Sequence, residues 1–157
     1  MIYTLGRPAF NVNYCGKAVD YENAHEMAGY SDKPLLKKLG IKETMKVQLR
    51  NAPADYMDLL EIDISRQLIS KSSDADLVHI FATSKKELAA IFKQTILKAK
   101  EGLIIWISWY KKSSGMQTDI TEDVIREIVL PLRWVDIKVC AVSDLWSGLK
   151  IVKRKSV

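Results

Sequence analysis

The chain has 157 residues, 27% charged and 48% hydrophobic, with a formal net charge of +5. That fits one soluble globular domain with a real core. The longest apolar run, Leu103 to Ile107, is too short to span a bilayer, and the N-terminus lacks a signal peptide's apolar centre and cleavage pattern. A membrane partner is therefore excluded and a cytoplasmic location expected. The basic residues are spread along the sequence, which speaks against a nucleic-acid partner.

Residues 1–26 show no sustained period and mix glycine, proline and asparagine with scattered aromatics, so they read as an irregular extension. Met27 also reads as a translation start. The segment is then either an artefact or a genuine arm that packs Tyr3, Phe10 and Tyr14 on the domain of residues 27–157. Ser31 to Gly40 predicts a short helix, with Pro34 in its first turn and Gly40 ending it. Lys46 to Asn51 alternates like a strand, and Asn51-Ala52-Pro53 opens a short helix presenting Tyr56, Leu59 and Leu60. Glu61 to Ser70 fits a weak strand, and Lys71 to Asp74 a loop.

Asp76 to Ala82 is nearly continuous apolar sequence, as in a strand covered on both faces. Ser84 and Glu87 form a capping box, and Leu88, Ile91, Phe92 and Ile96 give the helix behind it one apolar face. A second buried strand is expected over Leu103 to Trp109. Thr121 caps a helix with Glu122 and Asp123 in its first turn, where the helix dipole favours acids. Val135 to Val142 and Trp146 to Lys153 are strands joined by a turn so short that they must be antiparallel neighbours. The expected architecture is α/β: a three-layer, Rossmann-like domain with a mostly parallel sheet of five or six strands and a C-terminal antiparallel hairpin.

Several blocks are familiar. Gly29-Tyr30-Ser31, Pro34 to Ile41, Asn51-Ala52-Pro53, Asp76 to His79, Trp109 to Gly115, Thr118 to Asp123, Lys138 to Val142 and Trp146-Ser147-Gly148-Leu149-Lys150 together resemble a bacterial family known only as a domain of unknown function. The resemblance covers residues 28–152 and implies a cytoplasmic bacterial protein whose chain starts near Met27, with no established activity. The architecture is also distantly similar to S-adenosylmethionine-dependent methyltransferases. In those enzymes a glycine-rich loop follows the first strand and an acid ends the second. Here Leu49 to Asp55 has no glycine, which a closely approaching cofactor needs, and Pro53 removes one N–H donor.

In such sheets ligands sit at the carboxyl ends of the strands. The expected ligand-binding residues there are Asn51, Thr83, Ser84, Trp109, Lys111, Lys112, Ser113, Ser114 and Trp146. Two ammonium groups and two hydroxyls before Gly115 suit a phosphate or carboxylate, although a solvated turn explains them too. Thr83 and Ser84 either cap a helix or offer its N–H groups to an anion. Asn51 is a cap or a polar group facing the cleft, and Trp109 and Trp146 are either core or pocket walls. His79 suits a hydrogen-bonded core position better than catalysis. A Ser108 or Ser113, His79 and Asp119 set has no local motif behind it, and Cys140 reads as a small buried hydrophobe.

No catalytic residue, metal site or cofactor is assigned. The first functional reading is a non-catalytic module that binds a small anionic ligand or a protein partner on a degenerate nucleotide-binding fold. The second is an enzyme on a small anionic substrate, including a divergent methyltransferase. The third is weak nucleic-acid binding through the basic C-terminus.

Overall fold

Alternating apolar segments and capped helices build a single sheet with helices on both faces. The computed structural model describes residues 33–155. In chain order they form α1 (Leu35–Leu39), β1 (Val47–Arg50), α2 (Tyr56–Leu60), β2 (Leu77–Phe81), α3 (Lys85–Ile96), β3 (Ile104–Tyr110), α4 (Glu122–Val129), β4 (Trp134–Ala141) and β5 (Trp146–Lys153). The residues from Pro34 on make one compact unit. The expected extension over residues 1–26 lies outside the described residues, as do Ser31, Cys15 and His25.

The sheet has five strands in the order β1-β2-β3-β5-β4. β1, β2 and β3 are parallel neighbours. β5 runs antiparallel to both β3 and β4. The expectation of a mostly parallel sheet is thus corrected: half of the four pairings are antiparallel. β5 returns beside β3 and leaves β4 at the rim of the sheet, so both sides of β5 are antiparallel.

Strand alternation sorts the interior into two cores. Ile105, Ile107 and Trp109 point to one face, where they meet Leu88, Ile91 and Phe92 of α3 and Ile125, Ile128 and Val129 of α4. Trp106 and Tyr110 point to the other, with Leu35 and Leu39 of α1 and Tyr56 and Leu60 of α2. Being covered on both sides, all five residues of β2 are buried. The four apolar ones, Leu77, Val78, Ile80 and Phe81, each contribute about 1.5–3 kcal/mol by leaving water. The caps are as expected: Ser84 Oγ accepts from the Glu87 N–H and Thr121 Oγ1 from the Val124 N–H.

Glu61 to Ser70 forms no strand. It holds a single 3-10 turn, Ser65–Gln67, and touches the sheet through one bridge between Leu68 and Val47. The Gln48 amide donates to Ser70 O at 2.7 Å and its oxygen accepts from Ser72 Oγ at 2.6 Å. Side-chain bonds thus do much of what a ladder would have done. At the opposite edge, β4 carries an irregularity between Asp136 and Lys138 and leaves Ile137 and Val139 about half exposed. A bulge and a lysine are the usual devices that stop an edge strand from recruiting another chain.

The tightest point lies where β5 crosses the second core. A Cβ on Gly148 would stand 2.9 Å from Val142 Cγ2 and 3.4 Å from Trp106 Cε3. Gly148→Ala is therefore expected to destabilise the domain by about 1–3 kcal/mol through overpacking. Urea denaturation measures this, and an unchanged midpoint would refute the close approach.

Candidate functional site

Because β1, β2 and β3 are parallel and in register, Arg50 beside Ile80 and Phe81 beside Ser108, their carboxyl ends open on one rim. The hairpin turn after β4 reaches the same rim, since Trp146 pairs with Tyr110. The Lys111 N–H donates to Leu145 O at 2.8 Å and ties that turn to the loop after β3. The turns beginning at Asn51, Thr83 and Lys111 therefore face one another across the ends of adjacent strands.

Much of this rim is closed by the chain's own carboxylates. Glu87 accepts from the Thr83 N–H at 3.0 Å and from Asn51 Nδ2 at 3.4 Å. Asp119 accepts from the Lys85 N–H at 2.7 Å, and the Thr118 hydroxyl donates to Thr83 O at 2.7 Å. Two N–H groups at the opening of α3, those of Thr83 and Lys85, are thus matched to negative charge, as a helix start favours. An incoming anion would meet Glu87 and Asp119 there. Thr83 and Ser84 stand at the start of α3, where Ser84 caps the helix and the Thr83 N–H is held by Glu87.

Asn51 does not cap a helix, because α2 begins only at Tyr56 with Asp55 at its N-cap. It takes the left-handed conformation, φ 60°, directly after β1. Asparagine tolerates that region better than most side chains, so it makes the turn a glycine would otherwise make.

Trp109 faces the α3–α4 core and is 7% exposed, which removes it as a pocket wall. Its neighbour Tyr110 is the aromatic that reaches the rim, half-buried and stacked on Trp146 at 4.2 Å with 23° between the rings. Trp146 also meets Phe81 edge-on at 4.9 Å. In the sequence Trp109 is singled out and Tyr110 left unmarked, although counting by twos from Trp106 puts Tyr110 on the second face. Lys112 to Ser114 forms one 3-10 turn that Gly115 ends at φ 74°. Ser114 Oγ donates to Lys111 O at 2.6 Å and accepts from the Met116 N–H, so this hydroxyl holds the loop's shape. Lys112 and Ser113 are exposed.

Below the rim lies a buried polar chain. Tyr56 OH is 2.9 Å from His79 Nδ1, and His79 Nε2 is 2.7 Å from Ser108 Oγ. All three residues are buried. Burial drives the imidazole pKa down to about 3 and the Tyr56 phenol upward. The ring is neutral, one nitrogen donating and the other accepting. His79 and Ser108 do pair, but the ring's partner on its other nitrogen is Tyr56, not a carboxylate, and all three side chains lie among the buried residues, so the set belongs to the core. Burial also raises the Cys140 thiol, although Lys38 and Lys138 pull the other way. A separate open depression, lined by Leu68 to Lys71 and Asp74, lies at the end of the sheet where β1 and β2 begin. Among the described residues no group of three or more His, Cys, Asp and Glu side chains could hold a metal, and no helix is long and apolar enough to cross a membrane.

No protein-family model matches the chain, and no curated protein does. Solved structures share its architecture. A Streptococcus agalactiae protein of the NADB-Rossmann superfamily superposes with TM-score 0.53 at 9% identity, over 82% of this chain and 72% of that one. A candidate tRNA methyltransferase of Streptococcus pneumoniae, in complex with S-adenosyl-L-methionine, gives 0.50 at 7% identity over 82% and 75%. The ribosomal protein L11 methylase of Lactobacillus delbrueckii subsp. bulgaricus gives 0.50 at 11% over 94% and 86%. The chain therefore has the Rossmann-like fold that S-adenosylmethionine-dependent methyltransferases also use, and at these identities the likeness is one of fold.

The buried imidazole makes stability depend on pH. Its folded pKa lies below the unfolded value near 6.5, so this contribution is complete above pH 6.5 and is lost as the pH falls toward about 3. The slope is about 1.4 kcal/mol per pH unit. Urea unfolding between pH 7 and pH 4 should show His79→Gln losing less stability over that range than the parent. Parallel curves would mean that His79 is not held neutral.

Proposed function

We propose that residues 27–157 form a ligand-binding domain whose strand-end rim takes a small molecule with an anionic group and a planar ring. S-adenosylmethionine, with its carboxylate and adenine, is the first candidate. One observation carries the reading: the half-buried Tyr110, stacked on the buried Trp146, lies at the carboxyl end of β3 beside the Lys111–Lys112 turn, where open α/β sheets bind their ligands. The ring would lie along Tyr110, and the ammonium groups of Lys111 and Lys112 would meet the anionic end. The solved structures of like fold support a divergent methyltransferase as the activity.

A non-catalytic binding or interaction module is the second reading, favoured by the turn after β1. Asn51 and Pro53 stand where a cofactor's close approach calls for glycine, and Glu87 and Asp119 hold the start of α3. The two readings differ in turnover rather than in the rim.

Thermal-shift and calorimetric titration with S-adenosylmethionine, S-adenosylhomocysteine and nucleotides tests both. A stabilisation of several degrees that Lys111→Ala/Lys112→Ala and Tyr110→Ala each abolish is the expected result. Methyl transfer on top of it would favour the enzyme, and binding without transfer the module. A flat screen would remove the rim from consideration.

A further inference from the structure

The terminal hairpin gathers cations that the sequence keeps apart. Lys138 pairs across the strands with Lys150, which pairs in turn with Trp106, so both lysines lie on the α1 side of the sheet. Trp106 Nε1 donates to Leu39 O at 2.9 Å, which seats α1 beside them. Lys38 of α1 and Lys138 both act electrostatically on Cys140, on the same face. The Arg154 N–H donates to Arg133 O at 2.8 Å, which extends the ladder by one rung and adds two exposed guanidinium side chains.

The single acid of the two strands, Asp136, pairs with Ile151 on the opposite face. There Arg126 Nε neutralises it at 3.0 Å. Among the described residues no carboxylate forms an ion pair with Lys138 or Lys150. Like charges placed directly opposite each other cost stability in a bare hairpin, and a bound anion relieves that cost.

We infer that this face of the β4–β5 hairpin docks the phosphate backbone of a nucleic acid. The two cationic rungs lie four residues apart along the strand, about 13 Å at ~3.3 Å per residue. One small anion cannot touch both, whereas a phosphodiester chain runs past them in sequence. The side chains between the rungs, Val135 and Val152, are half-buried and too short to anchor the face in a bilayer. The face is separate from the rim, so this inference does not rest on the function proposed above.

The test is fluorescence anisotropy of a labelled RNA single strand and a labelled DNA duplex, each about 20 nucleotides long, with the full chain across a salt series. For four phosphate contacts, log affinity should fall against log salt with a slope of about −2.8 for the RNA strand and about −3.6 for the duplex. Lys138→Gln/Lys150→Gln should halve each slope and weaken low-salt binding at least tenfold, while Lys93→Gln, exposed on α3 across the sheet, leaves slope and binding unchanged. Thermal melting checks the fold of each variant. Lys138→Gln, at an exposed position, should by itself lower the slope by about 1 unit or slightly less. No complex at low salt, or equal binding by the lysine variants, overturns the inference. So does capture of polyglutamate or anionic vesicles in place of nucleic acid.

Discussion

A strand enclosed on both faces must be apolar on both, and β3 meets that demand while sitting where the sheet changes direction. On one side it continues the parallel run from β2, and on the other it accepts the returning β5. Its alternate residues feed two separate cores, so the helices on each face are placed by one segment. The polar chain through Ser108 and His79 to Tyr56 adds directionality inside this interior. Apolar contacts permit many packings, but buried hydrogen bonds permit few, since each unpaired group costs about 1–3 kcal/mol. The bond between α2 and the two central strands therefore fixes how the crossover after β1 lies on the sheet.

The rim shows the opposite balance. Where a nucleotide-binding fold leaves helix N–H groups open, this chain fills them with Glu87 and Asp119. The remaining polar capacity is displaced toward the loop after β3, where Lys111 and Lys112 flank an aromatic stack. The fold is shared with methyltransferases, while the groups that would recognise a ligand are the chain's own.

Strong local signals made most of this fold legible from the sequence. The apolar run through His79, the Ser84 and Thr121 caps and the short turn before Trp146 each correspond to an element of the structure. Weak signals misled. Glu61 to Ser70 has apolar residues at strand-like spacing, but its backbone is held by a 3-10 turn and the Gln48 amide, which no local pattern announces. Trp109 stands out by size, although parity sends it to the α3–α4 core and Tyr110 to the opposite face. The charge on the hairpin was invisible for another reason: Arg133, Lys138, Lys150 and Arg154 become neighbours only when the two strands pair. The basic residues that seemed dispersed in one dimension are contiguous in two.

Leaving Ile137 out of the pairing is what keeps the lysines of the two strands on one face. Before it, Trp134 stands across from Lys153 and Asp136 from Ile151; after it, Lys138 stands across from Lys150. Were Ile137 paired instead of bulged, the earlier count would carry on, and Lys138 would land opposite Leu149, on the other face of the hairpin. A one-codon loss at Ile137 would remove the bulge and leave Lys138 opposite Lys150 in an unbroken ladder. The irregularity works as a phase shifter, letting one short strand serve a greasy lining at its beginning and a wet, charged surface at its end.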